Sequence, residues 1–166
     1  MDFTEASVNQ AATPRHSEAP SGIERRTSRR AYAYWFQMAK GRRFPSLDDL
    51  DLDAAGDLRD SFFFLSAARE ANDCVVIDSG MALEEALGRD PTRARFGTVL
   101  PDPARRRMLE ALQYVLDIGN PMEEQGSFSR NGKEVLYRLV FLPLADDRHS
   151  ISHVLGAFSF RLNIAV

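Results

Sequence analysis

Polar and apolar residues follow a strand pattern most clearly in the last third of the chain. Residues 126–130 lead into Asn131-Gly132, and residues 133–144 lead away from that pair. Asn-Gly supplies the two positive-φ positions of a type I′ turn, so the pair predicts a β-hairpin. A polar turn at 146–149 then reverses the chain into residues 153–162, which predicts a third antiparallel strand.

Two earlier strands are predicted at 61–68 and 74–78, where β-branched and aromatic residues flank the polar pair Asn72-Asp73. A short helical segment follows at 80–88, and residues 89–100 are read as a loop. A longer helix is predicted from Asp102, as its cap, and Pro103, at its first position, to Gly119. Five antiparallel strands with helices gathered between the second and third predict an α+β fold.

The N-terminal part of the chain divides into a tail and a helix. Residues 1–26 show no hydrophobic period and predict a disordered tail, which leaves residues 27–166 as one domain. A helix is predicted over 27–41, capped by Thr27 or Ser28 and ended by Gly41. Its apolar stripe cannot be buried by the helix itself and must cover the sheet of its own chain or a second subunit. The stripe consists of Ala31, Tyr34, Trp35 and Met38.

Composition narrows the function classes. The chain is 44% hydrophobic and 27% charged, with a net charge of −3, so no general attraction to nucleic acid or anionic membranes is expected. The arginines between Arg25 and Arg30 are interpreted as the solvated entry to the first helix. The single cysteine, Cys74, excludes an internal disulfide, and no secretory signal or membrane-spanning run is found. A cytoplasmic protein is expected.

The order of these elements resembles that of a PAS domain. The resemblance lies in residues 81–90, in the helix ending at 119–121, and in the closing three-strand meander. The Tyr34-Trp35 pair, residues 41–46 and 141–144 are similar to a bacterial family of stand-alone, single-domain PAS proteins. This resemblance implies the strand order 2-1-5-4-3, a cavity between sheet and helices, and a sensory or protein-interaction role. It also favours a homodimer formed through the N-terminal helix.

Strand alternation selects candidate residues for such a cavity. Arg138 marks one face of its strand as partly solvated, and Ser159 and Arg161 do the same for the last strand. The opposite face, together with the helical section, predicts a ligand pocket. Its candidate residues are Phe96, Leu100, Leu112, Leu116, Tyr137, Phe141, Phe158 and Phe160. The alternative is that these side chains interdigitate as a solid core.

Catalysis and cofactor binding find little support in the sequence. Cys74 lies in a predicted strand, and we interpret it as a small buried residue rather than a flavin-reactive thiol. His149 and His153 lie at a turn and a strand start, where helical metal-ligand geometry is not possible. The acids Glu123 and Glu124 read as solvent-facing charge. We therefore expect a non-enzymatic signalling module with an unidentified protein partner, without metal or cofactor.

Two alternatives to this expectation stay open at this point. One is a sensor that carries haem or flavin, and the other is a small-molecule enzyme built on an α+β cup. An enzyme of that kind predicts a deep polar cavity that holds a carboxylate of raised pKa.

Overall fold

The computed structural model describes residues 22–146 and 150–163. Its longer helices and strands, in chain order, are α1 (Gly22–Ala39), α2 (Leu52–Ala55), β1 (Phe62–Ser66), β2 (Val75–Ser79), α3 (Met81–Leu87), α4 (Phe96–Val99), α5 (Ala104–Ile118), β3 (Met122–Arg130), β4 (Lys133–Ala145) and β5 (Ile151–Asn163). Short 3₁₀ turns occupy Leu47–Asp49, Gly56–Ser61 and Ala71–Asp73.

The predicted hairpin is confirmed. Asn131 and Gly132 have φ values of 52° and 77°, and the two-residue turn joins β3 to β4 in an unbroken antiparallel register. Arg130 faces Lys133 at the turn, and Met122 faces Phe141 at the far end. Because a two-residue turn leaves no freedom in pairing, these two positive-φ residues set which side chains of β3 and β4 are neighbours.

The five strands form one antiparallel sheet in the order β2-β1-β5-β4-β3. This confirms the α+β class and the strand order 2-1-5-4-3. Helices α3, α4 and α5 lie between β2 and β3 along the chain and cover one face of the sheet, which we call the inner face. Helix α1 covers the opposite, outer face, so it lies outside the core between sheet and helices.

Several boundaries differ from those predicted. Helix α1 begins at Gly22, before the expected caps Thr27 and Ser28, so residues 22–26 of the expected tail 1–26 are helical; residues 1–21 lie outside the described residues. Residues 96–99 of the expected loop form the short helix α4. The polar turn at 146–149 is described only at Asp146, because residues 147–149 lie outside the described part.

The start of α5 also corrects a prediction. Pro103 occupies the N-cap position with φ −92° and ψ 3°, which is not helical, and the helix begins at Ala104. Asp102 makes no cap hydrogen bond to the helix; its carboxylate lies 3.4 Å from Arg105. The predicted end at Gly119 is confirmed, since this glycine adopts the left-handed conformation with φ 86° and its N–H donates to the Val115 carbonyl.

Two separate clusters of buried side chains flank the sheet. The inner cluster joins Phe63, Leu65 and the aromatic residues of β4 and β5 to α3, α4 and α5. The outer cluster joins Phe62, Phe64 and the alternate residues of β4 to α1 and the α2 region. The central strands are therefore buried on both faces. The expectation that Arg138 marks a solvated face is wrong, because α1 covers that face and Arg138 is buried.

Within residues 22–146 and 150–163, none of the helices is both long enough and apolar enough to cross a lipid bilayer.

We expect Gly156→Ala to destabilise the protein. A β-carbon at Gly156, on the inner face of β5, would overlap the ring of Phe63 on the paired position of β1. Overpacking of this kind costs about 1–3 kcal/mol, which urea unfolding can measure. Phe63→Leu should recover part of that loss in the double variant. Simple addition of the two single effects would contradict a steric cause.

Candidate functional site

The structure brings the eight predicted pocket residues together on the inner face. Phe96, Leu100, Leu112, Tyr137, Phe141 and Phe158 belong to one buried cluster, while Leu116 and Phe160 are partly buried and pack against it. Strands β4 and β5 contribute alternate residues to this cluster, and residues of α4 and α5 cover it on the side opposite the sheet. Which side chains share this face therefore follows the expected alternation.

Aromatic rings fill the space between sheet and helices. Phe63 stacks on Phe96 with ring centroids 5.7 Å apart, and Phe141 meets both rings edge-on at 6.3 and 6.0 Å. Tyr137 stacks on Phe158 at 5.9 Å. Such distances are those of direct ring contacts, so in this structure these side chains pack mainly against one another.

A polar group is buried at the edge of this aromatic cluster. The Tyr137 hydroxyl donates to Oε2 of Glu124 at 3.1 Å, and Nε of Arg107 on α5 lies 3.1 Å from the same oxygen. Burial raises the pKa of Glu124, although the charge of Arg107 and the tyrosine hydrogen bond oppose the shift. Burial and the nearby carboxylate raise the pKa of Tyr137 as well. Arg107 and Glu124 thereby connect α5 to the edge strand β3.

A pocket of about 750 Å³ adjoins this group. It follows edge strand β3 and the start of α5, and its walls include Tyr137, Arg107 and Gly126. Gly126 faces Tyr137 across the hairpin, and a side chain there would crowd the tyrosine hydroxyl. The volume falls within the range typical of small-molecule sites, which is roughly 300–1,000 Å³. Of the eight predicted pocket residues, Tyr137 is the one that lines this space.

The outer face carries the apolar stripe of α1. Ala31, Tyr34 and Trp35 are buried in the outer cluster, and Met38 is partly buried against it. The Trp35 indole Nε1 donates to the Pro143 carbonyl of β4 at 2.8 Å. The Tyr34 hydroxyl donates to the Asp51 carbonyl at 2.9 Å. Within the single chain described, the stripe covers its own sheet; its use in a dimer stays a prediction.

Next to this apolar contact the outer face holds a buried polar row. Gln125, Arg138 and Ser159 face one another across β3, β4 and β5, and Nη1 of Arg138 lies 2.9 Å from Oε2 of Glu123. Nε of Arg138, Oε1 of Gln125 and Oγ of Ser159 are buried and have no hydrogen-bond partner among residues 22–146 and 150–163. Within the same part of the chain, the hydroxyl of Ser28 on α1 also has no partner. Each such group costs about 1–3 kcal/mol relative to a satisfied one.

Sequence reasoning missed both buried carboxylates. Glu123 and Glu124 are buried, which contradicts their interpretation as solvent-facing charge. The hairpin register was the signal that could have found them. It places Glu124 on the same face as Gly126 and Tyr137, two residue pairs along the ladder, and it places Glu123 diagonally across from Arg138. Opposite charges and an acid–tyrosine pair at such positions are expected to interact.

The residues weighed for cofactor chemistry are not arranged for it in the described part. Cys74 is fully buried at the end of a 3₁₀ turn, and burial raises the pKa of its thiol. His153 lies in β5 beside Ser152, while His149 lies outside the described residues. Within residues 22–146 and 150–163, no group of three His, Cys, Asp or Glu side chains could hold a metal ion.

Comparison with known proteins gives a consistent family and distant structural neighbours. A family model described as a PAS domain matches residues 23–159. No curated protein sequence matches the chain significantly. A light-oxygen-voltage domain aligns at 14% identity and a TM-score of 0.49, covering 60% of this chain and 76% of its own.

Two bacterial neighbours are similar to the same degree. The PAS domain of BvgS from Bordetella pertussis aligns at 17% identity and a TM-score of 0.45, covering 58% of this chain and 74% of its own. A sensory box sensor histidine kinase from Vibrio cholerae aligns at 13% identity and a TM-score of 0.44, covering 61% of this chain and 82% of its own. These identities are too low to transfer a function.

The raised pKa of Glu124 predicts a pH dependence of stability. A carboxyl whose pKa is higher in the folded than in the unfolded chain stabilises the fold below the unfolded pKa, and this contribution is lost as pH rises through the folded pKa. We therefore expect Glu124→Gln to gain stability relative to the parent as pH increases from about 4 to 7. Urea unfolding at several pH values measures this difference. Glu134→Gln, at an exposed glutamate of β4, is the control. A difference independent of pH would contradict the assignment.

The ion pair on the outer face gives a second prediction. Arg138→Met leaves the Glu123 carboxylate buried without its cation, which typically costs about 3–5 kcal/mol of unfolding free energy. The double variant Arg138→Met/Glu123→Leu removes both charges and should cost much less. Chemical denaturation of the four proteins in this cycle measures the coupling. Equal losses in the single and double variants would show that the carboxylate is not the cause.

Proposed function

Because the chain belongs to the PAS domain family over residues 23–159, we propose that it is a non-enzymatic signalling module that acts through protein–protein contacts. One observation carries the proposal. Strands β4 and β5 hold the aromatic core on their inner face and helix α1 on their outer face. A single sheet therefore lies between an aromatic core, whose repacking would carry the input, and a helix suited to output.

The physical link between the two faces is the alternation of strand β4. Leu139 and Phe141 point into the inner core, while Leu142 points into the outer cluster, and the Pro143 carbonyl accepts from Trp35. Repacking of the inner face moves the backbone that carries both sets of side chains. We propose that such repacking shifts the population of α1 between docked and released positions.

Helix α1 is held unequally along its length, which suits a releasable element. Its C-terminal half is anchored by the buried Trp35 and Tyr34 and by their hydrogen bonds to backbone carbonyls. Its N-terminal half contributes Ser28 to the outer face, and the Ser28 hydroxyl, like the buried atoms of Arg138 and Ser159 on that face, has no hydrogen-bond partner in the described part of the chain. Release would let water satisfy these atoms, which lowers the free-energy cost of undocking this half.

For the input we propose a small ligand that reaches the inner core from the pocket along β3. This pocket contacts Tyr137, which stacks on Phe158 in the aromatic cluster. A ligand there would compete for the hydrogen bonds among Tyr137, Glu124 and Arg107 and so alter the packing beneath β4. Action in the cytoplasm is part of the proposal, and it agrees with the single reduced cysteine.

For the output we propose that α1 released from one chain docks on the sheet of a second chain in a homodimer. An exchanged helix would make the same contacts through Ala31, Tyr34, Trp35 and Met38 as in the single chain. Substitution of Trp35 alone cannot separate the two arrangements, because both lose the same contact. A test must instead report which chain the helix lies on.

Cross-linking between α1 and the turn before β1 makes this distinction. Arg30 on α1 forms an exposed salt bridge of 2.8 Å with Asp57, so both positions tolerate substitution. We expect Arg30→Cys/Asp57→Cys, in a Cys74→Ala background, to give covalent dimers with a short bis-maleimide, in a yield that rises with protein concentration. Gel electrophoresis and light scattering measure the products.

Each single-cysteine variant is the control for random collision. If every cross-linked product is monomeric, and the unmodified protein is monomeric at all concentrations, the homodimer is excluded and α1 covers only its own sheet.

A further inference from the structure

Two large apolar side chains, one near the end of α1 and one at the end of α5, are half exposed, and each lines a pocket that Arg43 and Gly119 also line. Phe36 on α1 is 51% exposed, and Ile118 at the last position of α5 is 50% exposed. Tyr32 stacks against Phe36, with ring centroids 6.3 Å apart and an angle of 19° between the rings. Exposed hydrophobic groups gathered at one place, rather than scattered singly, are typical of interaction sites.

Two pockets adjoin these side chains and share a wall. One, of about 330 Å³, is lined by Trp35, Phe36 and Pro121, and the other, of about 390 Å³, by Leu116 and Ile118. Arg43 and Gly119 line both pockets. We call the two pockets together the α1–α5 groove. Arg43 lies at its centre.

The position of Arg43 is well defined. Nη2 of Arg43 donates to the Ile118 carbonyl at 3.0 Å, and its guanidinium carbon lies 4.7 Å from the centre of the Phe44 ring. These contacts hold the guanidinium while leaving the residue exposed. They also satisfy a carbonyl at the end of α5, which gives Arg43 a structural role of its own.

The groove has an excess of positive charge. Arg43 and Arg69, which line it, form no salt bridge with any residue in the described ranges, and Arg42 pairs with Asp49. Asp117 is the one carboxylate among the described residues that line the two pockets, and it accepts a hydrogen bond from Gln113. An occupant with carboxylates beside apolar side chains would therefore match both the cavities and their charge.

We propose that the α1–α5 groove binds an acidic, amphipathic segment of the partner protein, with apolar side chains in the two pockets and carboxylates beside Arg43 and Arg69. This inference rests on the proposed function, because it names the surface and the partner chemistry for that output. Separate pockets favour a peptide with discrete side chains, and the net charge of −3 disfavours a nucleic acid or an anionic bilayer.

The groove also touches the helix that carries the signal. Trp35 lines one pocket, and its indole N–H donates to Pro143 of β4 on the other side. Occupation of this pocket therefore favours one position of α1. The position of Trp35 in this pocket also provides a fluorescence readout, because Trp35 is the only tryptophan of the chain.

The test uses the full chain and a short synthetic peptide in which two leucines, one helical turn apart, stand among glutamates. Titration is followed by Trp35 fluorescence and by anisotropy of a labelled peptide. We expect saturable binding that weakens at least about tenfold in Phe36→Ser and in Arg69→Glu, as lost contacts of about 1.4 kcal/mol or more imply. Matched controls are Met81→Ser and Arg89→Glu, exposed positions outside the groove, which should bind like the parent.

Two altered peptides separate charge from shape: lysines replace the glutamates in one, and serines replace the leucines in the other. We expect neither to bind. The proposal is overturned by absence of binding to the acidic peptide, by equal binding of the lysine peptide, by unchanged affinity in both groove variants, or by binding to anionic vesicles in its place. The peptide assay does not depend on helix exchange, so its failure together with covalent dimers in the cross-linking experiment rejects only the groove.

Discussion

The central constraint of this structure is that strands β4 and β5 are buried on both faces. Successive side chains of a strand point to opposite sides, so each of these strands must supply two different cores. In β4, Tyr137 and Phe141 pack against the helices of the inner face. Val140 and Leu142 belong to the outer cluster, which α1 covers. A change that moves one of these strands therefore affects both layers.

Burial on both faces also explains where the polar groups lie. Strands β3 and β4 carry Glu123, Glu124 and Arg138, which are buried although they are charged, and both carboxylates lie at the end of β3 away from the hairpin turn. A buried charge is tolerated only with a partner, and the partners here come from neighbouring strands or from α5. The partners are nevertheless incomplete on the outer face, beside helix α1. In the docking equilibrium that we propose for α1, the apolar anchor at Trp35 and the polar row at Arg138 would make opposite contributions.

The proposed input site and the proposed output site adjoin different layers of the fold. The pocket along β3 reaches the inner core through Tyr137, whereas the α1–α5 groove reaches the outer helix through Trp35. Neither site needs to contact the other, because the sheet connects them. This arrangement suits a module that converts occupancy on one side into a helix position on the other.

Local sequence determined the elements and their faces. Asn131-Gly132 determined the hairpin, because only residues tolerant of positive φ suit that turn, and the strand period then placed Tyr137, Phe141 and Phe158 on one face. Tertiary structure alone decided what covers each face. Whether Arg138 meets water or α1, whether Glu124 is exposed or lies under α5, and whether the aromatic residues enclose a cavity or fill it depend on contacts between segments distant in the chain. Such contacts leave no periodic trace in the sequence, because a strand alternates in the same way whether its second face is open or covered.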